Sequence, residues 1–126
     1  MKNNKVKFYL TLLGAILLVG EAQATWCLPT HLVFNEELTK MDRSGEPFRI
    51  GTLDKDGYSL SVIKETGKSN YRYLRNVRIE GVEFREFRDG SFKFQLAMPN
   101  ENKIMIYRNI LTDDKGIERG FAGYCS

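Results

Sequence analysis

One histidine, His31, and two cysteines, Cys27 and Cys125, are all the imidazole and thiol ligands that the chain offers a zinc ion or a thiol mechanism. A zinc site needs about four nitrogen or sulfur ligands, and that stock is too small once the cysteines pair. No glycine-rich phosphate loop and no metal-ligand spacing occurs, and no serine or cysteine stands in a nucleophile pattern with His31. Paired carboxylates such as Asp113 and Asp114 sit in turn sequences, where aspartate bonds its own backbone. The residues therefore predict a protein that is not an enzyme and that uses no cofactor and no metal.

The chain is also short of long apolar runs and of net charge. Its one apolar run, Phe8 to Gly20, follows Lys2, Lys5 and Lys7 and ends near Ala22-Gln23-Ala24. Positive start, short apolar core and small-x-small end make a secretory signal, and the run is short for a membrane span. We expect residues 1–24 to be removed and 25–126 to form one domain. About 100 residues suffice for a modest core. Thr25-Trp26 before Cys27 does not fit a lipoprotein cleavage site. The signal holds Lys2, Lys5, Lys7 and Glu21, so two of the three net positive charges leave with it. The remaining near-neutral chain gives no argument for nucleic acid or for a membrane partner after cleavage. Export places the mature chain in the periplasm or outside the cell. There two cysteines at opposite ends predict one disulfide, Cys27–Cys125.

What the chain does have is alternation. Tyr71, Tyr73, Val77 and Ile79 alternate with polar residues, as in a half-buried strand. A two-residue turn at Glu80-Gly81 pairs Ile79 with Val82, Val77 with Phe84, Arg78 with Glu83 and Arg75 with Glu86. For the next turn the apolar phase favours a three-residue loop, Arg88-Asp89-Gly90. That loop sets Phe84 against Phe94, Val82 against Leu96 and Arg85 against Lys93, with Phe92, Phe94, Leu96 and Met98 buried.

Around this meander, Leu32 to Phe34 starts a first strand, and Asn35 to Leu38 reads as a capped helical turn. Phe48 to Leu53 is a strand, Asp54-Lys55-Asp56-Gly57 a turn, and Tyr58, Leu60 and Val62 alternate in the next strand. Thr66 to Asn70 reads as a polar loop and Pro99 to Asn102 as a turn. Ile104 to Leu111 is apolar on both faces, which suits a strand covered on both sides or an oligomer contact. Asp113 to Gly116 turns the chain into a last strand, Ile117 to Tyr124, with Gly120 and Gly123 at bends.

Seven or eight short strands with tight turns predict an all-β fold, a small antiparallel up-and-down barrel, with a β-sandwich as the alternative. A Cys27–Cys125 bond favours the barrel, because it brings the first and last strands together. In size, export signal, strand count and cysteine use the outline is similar to small exported bacterial β-barrel proteins, among them periplasmic lysozyme inhibitors and lipocalin-like carriers. The loop motifs of the former and the glycine-x-tryptophan signature of the latter do not occur.

Two function classes fit. The leading one is an exported binding protein acting by protein–protein contact, of an inhibitor or immunity type. The alternative is a carrier that holds a small amphipathic anion inside the barrel. Following the apolar phase of each strand, Lys64, Arg75 and Arg108 share a face with buried positions, and Tyr73 lies beside them. These four are the candidate ligand-binding residues, expected to gather in one barrel mouth.

Overall fold

The computed structural model describes residues 25–52 and 59–126. Residues 1–24, Leu53, Tyr58 and the Asp54-Lys55-Asp56-Gly57 turn lie outside the described residues, as does the expected signal. The described chain is all-β and antiparallel. Its strands are β1 (Thr25–Phe34), β2 (Glu37–Lys40), β3 (Phe48–Thr52), β4 (Ser59–Lys64), β5 (Gly67–Ile79), β6 (Val82–Asp89), β7 (Phe92–Ala97), β8 (Met105–Thr112) and β9 (Glu118–Cys125).

Each strand from β3 to β9 pairs with the next, β3 pairs with β1, and β9 pairs back onto β1. The result is a closed eight-stranded barrel. β2 is an additional strand that pairs only with β1. Closure runs from Arg119 opposite Phe34 to Cys125 opposite Cys27. The disulfide joins this last pair, with Cα atoms 4.0 Å apart, and reciprocal backbone bonds between Trp26 and Ser126 continue the ladder beyond it. A bond of this kind suits an oxidising compartment.

Alternation supplies the core. Phe48, Ile50, Leu60, Val62, Tyr71, Phe87, Phe94, Tyr107, Cys27 and Cys125 form one buried cluster inside the barrel. Tyr107 stacks on Phe94 at 5.4 Å between centroids, and Phe48 meets both rings edge-on. On the opposite face Val33, Ile110 and Ala122 make a second, smaller cluster. Tyr107 and Ile110 are therefore both buried, on different faces of β8, as its two-sided apolar sequence suggests. Gly123 packs β9 against β1 and Tyr107, because a Cβ there collides with the Leu28 carbonyl and the Tyr107 ring.

The β5–β6 hairpin has the expected register, with Ile79 opposite Val82, Val77 opposite Phe84, Arg78 opposite Glu83 and Arg75 opposite Glu86. Glu80 and Gly81 both have positive φ, 49° and 82°, as a type I′ turn requires. The β6–β7 register differs from expectation. Gly90-Ser91 is the loop, so Phe87 faces Phe94, Arg85 faces Leu96, Arg88 faces Lys93 and Phe84 faces Ala97. Positive φ occurs at Gly90, the first loop residue, and not at Ser91, which is the pattern of a type II′ turn. The three-residue loop assumed Gly90 at the end of the turn; the glycine instead begins it.

Four further expectations are corrected. Asn35-Glu36 is a tight turn into β2, not a helical turn. The Asn35 side chain accepts a hydrogen bond from the Glu118 amide and ties that turn to β9. The first strand begins at Thr25, well before Leu32. Gly67 to Asn70 is the start of β5 rather than a loop. Phe92 and Met98 are 45% and 69% exposed, so only the middle of β7 is core. The Asp113 turn behaves as read, its carboxylate accepting the Lys115 and Ile117 amides.

Candidate functional site

A bulge in β5 decides where the candidate cations go. Tyr73 faces Phe87 and Arg75 faces Glu86, which leaves Leu74 as an extra residue. One inserted residue reverses the strand's facing. Tyr71 and Tyr73 point into the barrel, whereas Arg75 and Val77 lie on the outer wall with Glu86 and Phe84. Tyr73 is half-buried, meets Phe87 edge-on at 5.8 Å and donates its hydroxyl to Asn76 Oδ1 at 2.8 Å. The Arg85 guanidinium covers both rings. Arg108 follows inward-facing Tyr107 and so lies outside. Lys64 ends β4 on the inner face, its ammonium 5.3 Å from the centroid of the Phe48 ring. The structure thus places Arg75 and Arg108 on the outer wall, three strands apart and joined through Glu86 and Gln95, and leaves Lys64 and Tyr73 inside. The four do not share one mouth.

On that wall Glu86 is 1% exposed. Its carboxylate accepts from Gln95 Nε2 at 2.8 Å and from Arg75 Nε at 3.3 Å, with Arg88 Nε at 3.6 Å. Gln95 Oε1 in turn accepts from Arg108 at 3.0 Å. Lys93 Nζ binds Glu118 at 2.6 Å. Burial alone raises a carboxyl pKa, but the Gln95 amide and the nearby Lys93, Arg75 and Arg88 outweigh it, so Glu86 lies below its ordinary 4.5.

A depressed acid contributes stability that is present above its unfolded pKa and lost as pH falls through the folded one. Glu86→Gln is therefore expected to cost about 1.5–3 kcal/mol at neutral pH and to flatten the loss of stability below pH 4.5. The cost stays under that of a fully buried pair because Arg75 and Arg88 side chains are 59% and 41% exposed and can rehydrate. Urea unfolding of both proteins across pH 3–7 checks it; parallel pH curves would remove Glu86 as the titrating group.

The register adds a conflict to this wall. Arg72 faces Arg88, and Arg88 faces Lys93, three cations in one row across β5, β6 and β7. Glu86 meets Arg75 and Arg88, Glu118 meets Lys93, and Arg108 binds Gln95 on the same wall. Arg72 is exposed and has no carboxylate partner among the described residues. Arg88 and its place in the row were missed in the sequence, because they follow from the β6–β7 turn.

A second feature is an open mouth. β1 pairs with β3 only over Thr25–Cys27; farther along, β1 pairs with β2 instead. The seam between β1 and β4 opens above Phe48. A cleft of about 520 Å³ lies there, with Trp26, Phe48, Lys64, Tyr107 and Phe121 in its walls. A hollow of about 500 Å³ adjoins it and shares Lys64, Asn109 and Phe121. Asn109 Nδ2 donates to the Tyr71 hydroxyl and to the Lys93 carbonyl. Burial raises the pKa of Tyr71 and Tyr107, and the buried Tyr107 hydroxyl has no hydrogen-bond partner among the described residues. Leu32, Phe34 and Phe121 continue the inner face but stay exposed. Their alternation is legible in the sequence; their exposure follows from the open seam.

Comparison of the chain with protein-family models, with curated proteins and with solved structures finds no match.

Proposed function

We propose that this chain is an exported, non-enzymatic binding protein, of an inhibitor or immunity type, whose cationic outer wall receives an acidic surface of a partner protein. The observation that carries the reading is the row Arg72, Arg88, Lys93. Like charges directly opposite one another destabilise a sheet; Glu86 and Glu118 offset this at Arg88 and Lys93, and Arg72 is left with no carboxylate among the described residues. Acidic groups from a partner turn that repulsion into pairing and steer the encounter.

Two other features support contact in water. The barrel interior is filled by stacked and edge-on rings around Phe94. Across β5 to β7 the outer wall carries Arg72, Arg75, Arg88 and Lys93, unlike the apolar outer band of a barrel that faces lipid, and an exposed apolar row, Leu28, Tyr124 and Ile106, lies on β1, β9 and β8.

The test is capture from periplasmic and secreted extracts by wild type and by Arg72→Glu. Arg72 has no ion pair to lose among the described residues, and glutamate there faces Arg88, so the variant should fold at least as stably. Wild type is expected to retain an acidic protein that elutes with added salt, and Arg72→Glu to bind it roughly tenfold more weakly, about 1.4 kcal/mol. Equal binding by both proteins, or binding that salt does not weaken, overturns the proposal.

A further inference from the structure

The open mouth has a chemistry of its own, independent of the outer wall. Lys64 and Arg119 are both exposed and have no carboxylate partner among the described residues. Each instead lies over an aromatic ring, Lys64 over Phe48 at 5.3 Å and Arg119 over Phe34 at 5.7 Å. Both cations line the hollow, and among the described residues no acidic one does.

The surface around them is apolar and open to solvent. Leu32, Phe34, Phe92, Leu111 and Phe121 line the same hollow and are 41–50% exposed. Side chains this large are seldom left grouped on a surface that binds nothing. The hollow leads into the cleft through Lys64, Asn109 and Phe121. Acids stand on neighbouring rims: Glu46 and Glu65 on the cleft, and Asp89 on the side toward β5. Each space is of the size that encloses small ligands, about 300–1,000 Å³.

We infer that this mouth binds a carboxylate-headed amphiphile, a fatty acid of medium chain length, with its head between Lys64 and Arg119 and its chain against Phe92, Leu111 and Phe121. Charge selects the occupant. A neutral apolar body gains from the hydrophobic wall alone, whereas an anion also pairs with two cations that are already held over rings. Water leaves the hollow when the chain enters, which strengthens that pairing. A cationic amphiphile meets like charge and is rejected.

Trp26 is the one tryptophan and lines the cleft, so its emission reports on the site. The mature protein is titrated with dodecanoate, dodecanol and dodecyltrimethylammonium, all below their micelle concentrations. Dodecanoate is expected to saturate, to raise the melting temperature and to bind at least tenfold more tightly than dodecanol, with the cationic amphiphile weakest. The double variant Lys64→Gln with Arg119→Gln should bind dodecanol as wild type does, which shows that it is folded, and should lose the preference for dodecanoate. Equal affinity for dodecanoate and dodecanol in wild type overturns the inference, as does an anion preference that survives the double variant. Absence of saturation by dodecanoate overturns it as well, whether the mouth then proves to be covered by a second copy or by a partner protein. Neither failure bears on the outer wall, which Arg72→Glu tests separately.

Discussion

Replacing Cys27 and Cys125 together by alanine is expected to lower the stability of the 25–126 domain by about 4–5 kcal/mol. The bond spans 98 positions, nearly the whole of residues 25–126. In the chain-entropy account a closed loop of about 100 residues restricts the unfolded ensemble by about 4.7 kcal/mol. A domain of this size has only about 5–15 kcal/mol of net stability, so the bond is a large share of the total. Both cysteines are also core residues, 1% and 0% exposed, and they close the barrel where β1 meets β9. The check is urea unfolding of wild type, of wild type with reductant, and of the double alanine variant. Reductant and substitution should act alike, and thiol titration of unfolded, unreduced protein should find no free cysteine. A loss under about 1 kcal/mol would mean that the β1–β9 ladder holds the seam unaided and that residual structure already restricts the unfolded chain.

The barrel was legible in the sequence for local reasons. Glu80-Gly81 fixes a two-residue turn, and a fixed turn sets the register of the pairs beyond it as far as the bulge at Leu74. The cysteine pair identifies which strands must meet. What stayed hidden depends on single residues that break a pattern. Leu74 is one: the odd-numbered run Tyr71, Tyr73, Val77, Ile79 looks like one face, yet the bulge turns its second half outward. Gly90 is another. Moving it from the end to the start of the turn shifts the β6–β7 register and makes Phe87, which stands among charges, a core residue.

The candidate sites were harder to read for a related reason. Arg75 and Arg108 lie on the outer wall rather than inside the barrel, Arg75 on Glu86 and Arg108 on the Gln95 that also binds Glu86. A glutamate between two arginines reads as solvated surface. Its burial needs Gln95 from one neighbouring strand and Arg75 from the other, and that arrangement exists only after both registers are set. Lys64 was placed on the correct face because β4 has no bulge among its described residues. Arg119 was invisible: it borders the mouth only because β1 leaves β3 for β2.

The other large effect is expected at Phe94. Its ring is 0% exposed. It stacks on Tyr107, with ring planes 8° apart, and meets Phe48 and Tyr71 edge-on at 6.2 and 6.1 Å. Phe94→Ala removes the ring from the centre of that cluster. The neighbours are large, cross-strand paired and held by the closed sheet, so they can collapse only partly into the space. A buried phenylalanine cut to alanine costs about 3–5 kcal/mol, the transfer term plus the cavity. The internal control is Phe92→Ala, on the same face of the same strand. Phe92 is 45% exposed at the open mouth, so its loss should stay under about 1 kcal/mol in urea unfolding. Similar costs at the two positions would mean that the mouth is closed in solution and that the hollow belongs to the core. A small cost at Phe94 would put the ring outside it, and with it the Gly90-Ser91 turn, since that turn is what sets Phe94 opposite Phe87.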